Sequence, residues 1–173
     1  MKVDKNQAVI DYLTTCPQIK DSPLYFNLIN AHDNNVQILT TSQDNTLRRP
    51  YIDGSIPKKY TFNLITFKSI TDLAIVKNYS TSTSTSTSED EYVNENVDDL
   101  ADVQALLDWL QEQDELCNYP DFGDDCYIDS LITTTDEPRF DGVNTELTPN
   151  LAMYTIAIEI NYIDESKMIW KEN

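Results

Sequence analysis

Carboxylates are the side chains this sequence supplies in number and at a spacing that suits chemistry. Asp98, Asp99 and Asp102 fall within little more than one helical turn, an arrangement that can hold a hard cation through oxygen ligands. Asp121, Asp124, Asp125 and Asp129 form a second cluster around the triplet Asp121-Phe122-Gly123. Both clusters have plainer uses. Asp98 and Asp99 belong in the first turn of a helix, where negative charge meets the positive end of the backbone dipole, and Asp102 falls on a solvated face. The second cluster lacks the closing Glu of a calcium-binding EF-hand loop. Its Asp-Phe-Gly has none of the companions of a kinase magnesium site: no Gly-rich loop, no Val-Ala-Ile-Lys strand and no His-Arg-Asp loop. A helix-to-strand connection is the expected use, with a weak surface calcium site as the alternative.

Nucleophilic chemistry finds as little support. His32 is the only histidine and stands in a polar loop beside Asp33. Cys16 or a serine would have to serve as its nucleophile, and no nucleophile-elbow sequence surrounds either. Only three glycines occur, which excludes a Gly-rich phosphate loop, and no nucleotide fingerprint is present. The expectation is a protein that is not an enzyme and holds no cofactor or metal. Arg48 and Arg49 read as part of a solvated loop, with a grip on an acidic loop of a neighbouring subunit as the alternative.

The elements that must position these residues follow from periodicity. Asp4 and Gln7 have the spacing of a capping box, and Val9, Ile10 and Leu13 follow at helical spacing until Pro17. This predicts a helix over about residues 5–15. Leu24–Ile29 is an apolar run that fits strand or helix equally. Val36–Thr41 predicts a strand. Tyr60–Lys68 predicts a better one, with Tyr60, Phe62 and Leu64 on one face and Ile65 and Phe67 on the other. Two apolar faces suit a central strand or one covered by a neighbouring chain.

Asn96 is the expected cap of a helix over about 97–115. Val97, Leu100, Val103, Leu106, Leu107, Trp109 and Leu110 face inward, while Asp102, Asp108, Glu112 and Asp114 decorate the outer face. Cys126–Thr134 predicts a strand and Asp136–Gly142 a turn region. Met153–Ile163 predicts a further strand with Tyr154, Ile156, Ile158, Ile160 and Tyr162 on one face. Tyr154 and Tyr162 are read as core, with subunit contact as the sharper alternative. The simplest architecture is a single α+β domain over residues 1–173. It has one antiparallel sheet of four to five strands and two main helices on one face, in the order α-β-β-arm-α-β-β.

The arm is Ser80–Ser88 (STSTSTSTS), a low-complexity tract without a hydrophobe, extended by Glu89, Asp90, Glu91 and Glu95. Residues 78–96 read as an insertion with no fold of their own. The formal charge of −18 is unevenly placed: seventeen of the thirty acids lie between Asn78 and Pro138, where there is no Lys, Arg or His. The remaining residues carry thirteen acids against twelve bases. Such a block repels nucleic-acid backbones and anionic lipid, and suits a basic partner or plain solvation. Three cysteines without a CxxC pair argue against a disulfide framework. The first residues, Met-Lys-Val-Asp-Lys-Asn-Gln, do not form a signal peptide, and no apolar run approaches the ~20 residues of a membrane helix. The expected place of synthesis is the cytosol, without membrane attachment.

Four stretches carry a resemblance. They are Val97–Asn118 (VDDLADVQALLDWLQEQDELCN), Tyr119–Gly123 (YPDFG), the strand ending at Thr135-Asp136-Glu137-Pro138, and Leu147-Thr148-Pro149 through Trp170. Together they resemble small proteins from the head-to-tail morphogenesis region of tailed bacteriophages and prophages of Gram-positive bacteria, the tail terminator or tail-completion proteins. The resemblance is best over residues 58–170 and weaker over the first third. It implies an α+β subunit that assembles into a ring, typically a hexamer. The ring caps the tail tube and presents a docking face to the neck or head-completion protein, with the tail sheath as a further neighbour where one exists. The implied location is the tail–neck junction of the virion, after synthesis in the host bacterial cytoplasm.

On that reading, contact with subunits or partners falls to Arg48, Arg49, Tyr60, Phe62, Phe67, Tyr79 and Tyr92. Glu89, Asp90, Glu91, Asp102, Asp108 and Glu112 fall to an acidic lumen that DNA passes without sticking, or to a basic partner. No sequence-specific nucleic-acid binding is expected. The competing reading is an acidic protein-binding module, a DNA mimic that occupies a basic nucleic-acid-binding protein.

Overall fold

The fold begins at Asp4, whose carboxylate accepts the Asn6 N–H at 3.0 Å and caps α1 (Lys5–Leu13). Gln7 does not close a capping box; its amide donates to Asp11 at 2.7 Å instead. Val9, Tyr12 and Leu13 are the buried face of this helix. The computed structural model describes residues 3–28, 30–46, 49–70, 95–144 and 150–169. The Ser/Thr tract, Arg48, Tyr79, Tyr92, Glu89, Asp90 and Glu91 lie outside those residues.

The second helix, α2 (Glu95–Glu115), starts ahead of Asn96, so that residue is not its cap. Val103, Leu106, Leu107 and Leu110 are buried as their spacing predicts. Leu100 is not: it is 43% exposed, because the helix is longer than the core it covers. Asp114 is also misplaced by the sequence reading. It points toward the sheet rather than outward, and its carboxylate bonds to the chain beyond the helix.

Six strands form one sheet among the described residues: β1 (Leu24–Phe26), β2 (Val36–Thr46), β3 (Ile56–Ile70), β4 (Cys126–Thr133), β5 (Arg139–Asn144) and β6 (Asn150–Asp164). Their order is β1-β2-β3-β6-β4, with β5 also paired to β6. β3 and β6 are antiparallel over their whole length, from Ile56↔Asp164 to Ile70↔Asn150. β4 takes one half of the far edge of β6 and β5 takes the other.

The fold is α+β, but the expected antiparallel sheet of four to five strands is corrected twice. The undecided run at Leu24 is a short strand, and it lies parallel to β2 (Leu24↔Val36, Phe26↔Ile38). The loop between them is no hairpin turn; Asn27 and Asn34, both at positive φ, carry the chain back to the same end of the sheet. The region expected as a turn contains β5, where Gly142 at φ +116° forms the bulge that lets Phe140 and Val143 both pair with β6. The order is therefore α-β-β-β-α-β-β-β along the described chain.

Alternation decides where the core sits. Tyr60, Phe62 and Leu64 of β3 stand opposite Ile160, Ile158 and Ile156 of β6, and all six are essentially fully buried. Both helices belong to that same cluster, so they share one face of the sheet. Phe122, from the connection after α2, sits edge-on to Tyr162 with ring centroids 5.4 Å apart and reaches Tyr60 at 5.9 Å. On the opposite face Phe67 and Leu151 are also buried, which agrees with the two apolar faces read from β3.

Candidate functional site

The side chains of Asp98 and Asp99 lie outside the described residues, and the other carboxylates first considered for metal chemistry do not converge. Asp102 forms an ion pair with Lys68 at 3.0 Å. Asp121 accepts the Gly123 N–H at 2.8 Å, a local turn that needs no ion. Asp124, Asp125 and Asp129 are exposed, and the backbone carbonyls of Asp125 and Asp129 take Glu165 N–H and the Tyr119 hydroxyl. Among the described residues no three His, Cys, Asp or Glu side chains come close enough to hold a metal.

Nor does the structure pair His32 with a nucleophile. His32 is exposed in the loop ahead of β2. Cys16 is buried, its thiol donates to Gln18 at 3.1 Å, and burial raises its pKa. No disulfide joins Cys16, Cys117 and Cys126.

A small hollow of about 30 Å³ lies between the loops flanking β1, the end of β3 and α2. Gln18, Ser22, Asn34, Asn35, Thr66, Lys68 and Asp102 supply its polar lining. Thr66 is buried there, and its hydroxyl has no hydrogen-bond partner among the described residues. Lys68 donates to Asp102 and to Asn34, both at 3.0 Å, so the hollow is spanned by bonds that tie β3 to α2 and to the loop before β2. Its size suits one or two waters rather than a metabolite.

The convex surface is more distinctive. The connection from β2 to β3 ends in a rigid turn: Tyr51 N–H bonds to Ser55 O at 2.8 Å and Gly54 N–H to Tyr51 O at 3.0 Å. Asp53 accepts both the N–H and the hydroxyl of Ser55, at 2.9 and 2.7 Å, and that hydroxyl holds its carboxyl below the usual range. Ile169 N–H closes onto Asp53 O at 2.7 Å, fixing the C-terminal turn against the loop. Gly54 lies at φ +89° where an added Cβ would come within 2.4 Å of Lys167 O. This scaffold displays Ile52 fully exposed, Ile169 largely so and Tyr51 about half so, with Arg49 and Lys167 in solvent. We call it the 49–54 tip.

A second apolar exposure lies on β4. Tyr127 and Ile132 pair with Ile163 and Glu159, which places them on the sheet face away from the helices. They are 60% and 44% exposed, and Asp129 is exposed in the bulge between them. Along α2, Asp108, Glu112 and Glu115 are exposed, with Asp108 accepting from Gln104 at 2.8 Å. Beyond β4, Asp141 takes two bonds from Arg139 and one from the Thr155 hydroxyl, and the guanidinium bonds hold its carboxyl below the usual range.

Of the expected contact residues, Tyr60 and Phe62 are withdrawn: they are filled into the chain's own core. Phe67 is likewise buried, on the other face. Arg49 is exposed at the base of the tip. Asp102, Asp108 and Glu112 do lie at the surface, though Asp102 is engaged by Lys68. The sequence reading passed over Tyr51, Ile52, Tyr127 and Ile132. A signal for the first two was present, since a Tyr-Ile pair between Arg49-Pro50 and Asp53-Gly54 is apolar text in a turn. No protein-family profile matches the chain, and no curated protein matches it.

Proposed function

We propose that this chain is a structural assembly protein of a tailed bacteriophage, a tail terminator whose copies form a ring on the tail tube and join it to the neck. The observation that carries this reading is the division of its surface. α2 and the segments after it present Asp108, Glu112, Glu115, Asp121 and Asp129 with no Lys, Arg or His anywhere from residue 78 to 138. The rigid tip meanwhile gathers exposed apolar and basic groups. A protein that acts by docking needs such contrasting faces, whereas a catalyst needs a concave site with convergent polar groups. The resemblance of residues 58–170 to tail-completion proteins supplies the particular assembly. In it the acidic α2 face lines the channel, where like charge keeps duplex DNA from adhering.

The test is native mass by light scattering, on the purified chain and on the chain mixed with isolated tail tubes. A ring mass, or monomers that assemble only on tube ends, is the expected result. A monomer that ignores tubes and captures a basic DNA-binding protein would refute it and favour the DNA mimic.

A further inference from the structure

Exposed isoleucines are common singly and mean little. Ile52 is different because its backbone is held by hydrogen bonds on both sides and by a glycine that no other residue can replace without a clash. A side chain fully in solvent on a loop with so little freedom is preorganised for contact, because ordering it on docking costs little entropy. Its neighbours define what it fits. Tyr51 and Ile169 widen the apolar patch, and Arg49 and Lys167 place positive charge at its rim, in a chain whose formal charge is −18. The complement is therefore an apolar surface flanked by negative charge.

This chain carries such a surface. Tyr127 and Ile132 are both exposed on the open face of β4, with Asp129 exposed in the bulge between them, and Lys59 on the same face is taken up by Glu159 at 2.8 Å. We propose that the 49–54 tip of one copy docks on the Tyr127–Ile132 face of the next. This rests on the ring reading above and names the contact that builds it. The two surfaces are different patches of one chain, so the contact is head-to-tail: each copy uses its tip on one neighbour and offers its β4 face to another. Such a contact propagates, and it closes into a ring when the rotation between copies divides a full turn. Charge complementarity fixes the register, and the apolar groups supply most of the affinity.

The experiment uses the full chain and two single variants, Ile52→Glu and Tyr127→Glu, followed by light scattering over a concentration series. Both positions are exposed, so thermal melts of the variants should overlay the parent. Each variant alone is expected to associate about tenfold or more weakly. Mixed together they retain one intact tip and one intact receiving face, so they should form a capped pair and nothing larger. If the parent assembles and Ile52→Glu assembles equally well, the docking proposal is overturned while the ring reading stands. A mixture that fails to recover the pair also overturns it. A parent that remains monomeric up to millimolar concentration overturns it as well, and the tube-end measurement then decides the ring reading separately.

Discussion

Asp114, at the end of α2, accepts the backbone N–H of Leu131 in β4 at 2.7 Å, and the same oxygen accepts the Tyr119 hydroxyl at 3.0 Å. A helix side chain thus occupies an amide of an edge strand, the kind of group that otherwise invites pairing with another chain. Asp114→Ala leaves the Leu131 N–H without its acceptor and takes from the Tyr119 hydroxyl its shortest bond, leaving it only backbone carbonyls at 3.4 Å, and is expected to cost about 2 kcal/mol of unfolding free energy. Asp114→Asn keeps an accepting oxygen and should lose less than half of that. Urea denaturation followed by circular dichroism reads both, and equal losses for Ala and Asn would count against the carboxylate's double bond.

That pair also marks the boundary of what could be read from the sequence. Asp114 lies four residues after Leu110 and seven after Leu107, on the buried stripe of α2, so its spacing already placed it inward. Its charge led it to be assigned to the outer face. The central strands were legible because of their alternation: Tyr60 to Leu64 and Ile156 to Tyr162 bury every second residue. β5 was not, since Asp141-Gly142 looks like a turn and the bulge that accommodates it is invisible in one strand taken alone. The parallel pairing of β1 depends on the path of a loop, which no local pattern encodes. The tip was hidden because its rigidity comes from a bond to Ile169, more than a hundred positions away in sequence.

The different environments of two leucines on α2 give a direct check on the helix's placement. Leu107 is fully buried, so Leu107→Ala is expected to cost about 2–5 kcal/mol through lost contact and the cavity left behind. Leu100→Ala, at an exposed position, should stay within about 0.5 kcal/mol of the parent. Chemical unfolding of the two variants distinguishes this arrangement from one in which the whole stripe is buried.

Acid should expose the ion pair that ties β3 to the end of β6. Partial burial pushes the Asp164 carboxyl up, but hydrogen bonds from Lys58 at 2.7 Å and from Ser166 outweigh it and hold the pKa at about 2, against 3.8 for the free group. The folded value lies below the unfolded one. The pair's contribution is therefore complete above about pH 4 and is lost as the pH falls through about 2. Lys58→Met is expected to lose about 1 kcal/mol at neutral pH, and its deficit relative to the parent should shrink across that window. A deficit that stays constant down to pH 2 would assign the effect to packing of the lysine stem.

Gly54→Ala tests whether the tip is held as rigidly as its bonds imply. The substitution combines positive φ with a Cβ only 2.4 Å from Lys167 O, so the C-terminal turn must move away. The expected cost is about 1–3 kcal/mol, accompanied by faster amide exchange at Ile169, whose N–H is bonded to Asp53 O. Unchanged exchange at Ile169 would mean that the loop absorbs the added methyl by itself.

β6 is paired to β3, β4 and β5, and it follows all of them in the chain. The shortest loop that the β3–β6 ladder closes runs from Ile70 to Asn150. Closing a loop of that length costs entropy before any rung rewards it, which makes assembly of the sheet's centre a slow step. During synthesis the strands on either side of that gap must wait, with Phe62, Leu64 and Leu131 uncovered, until residues 150–164 have been made. A chain interrupted before that point holds β1–β3 as a partial sheet, while β4 and β5 each lack the one strand they pair with among the described residues. It is therefore expected to aggregate rather than persist as a smaller folded unit, so the supply of folded chains depends on completing the last strand.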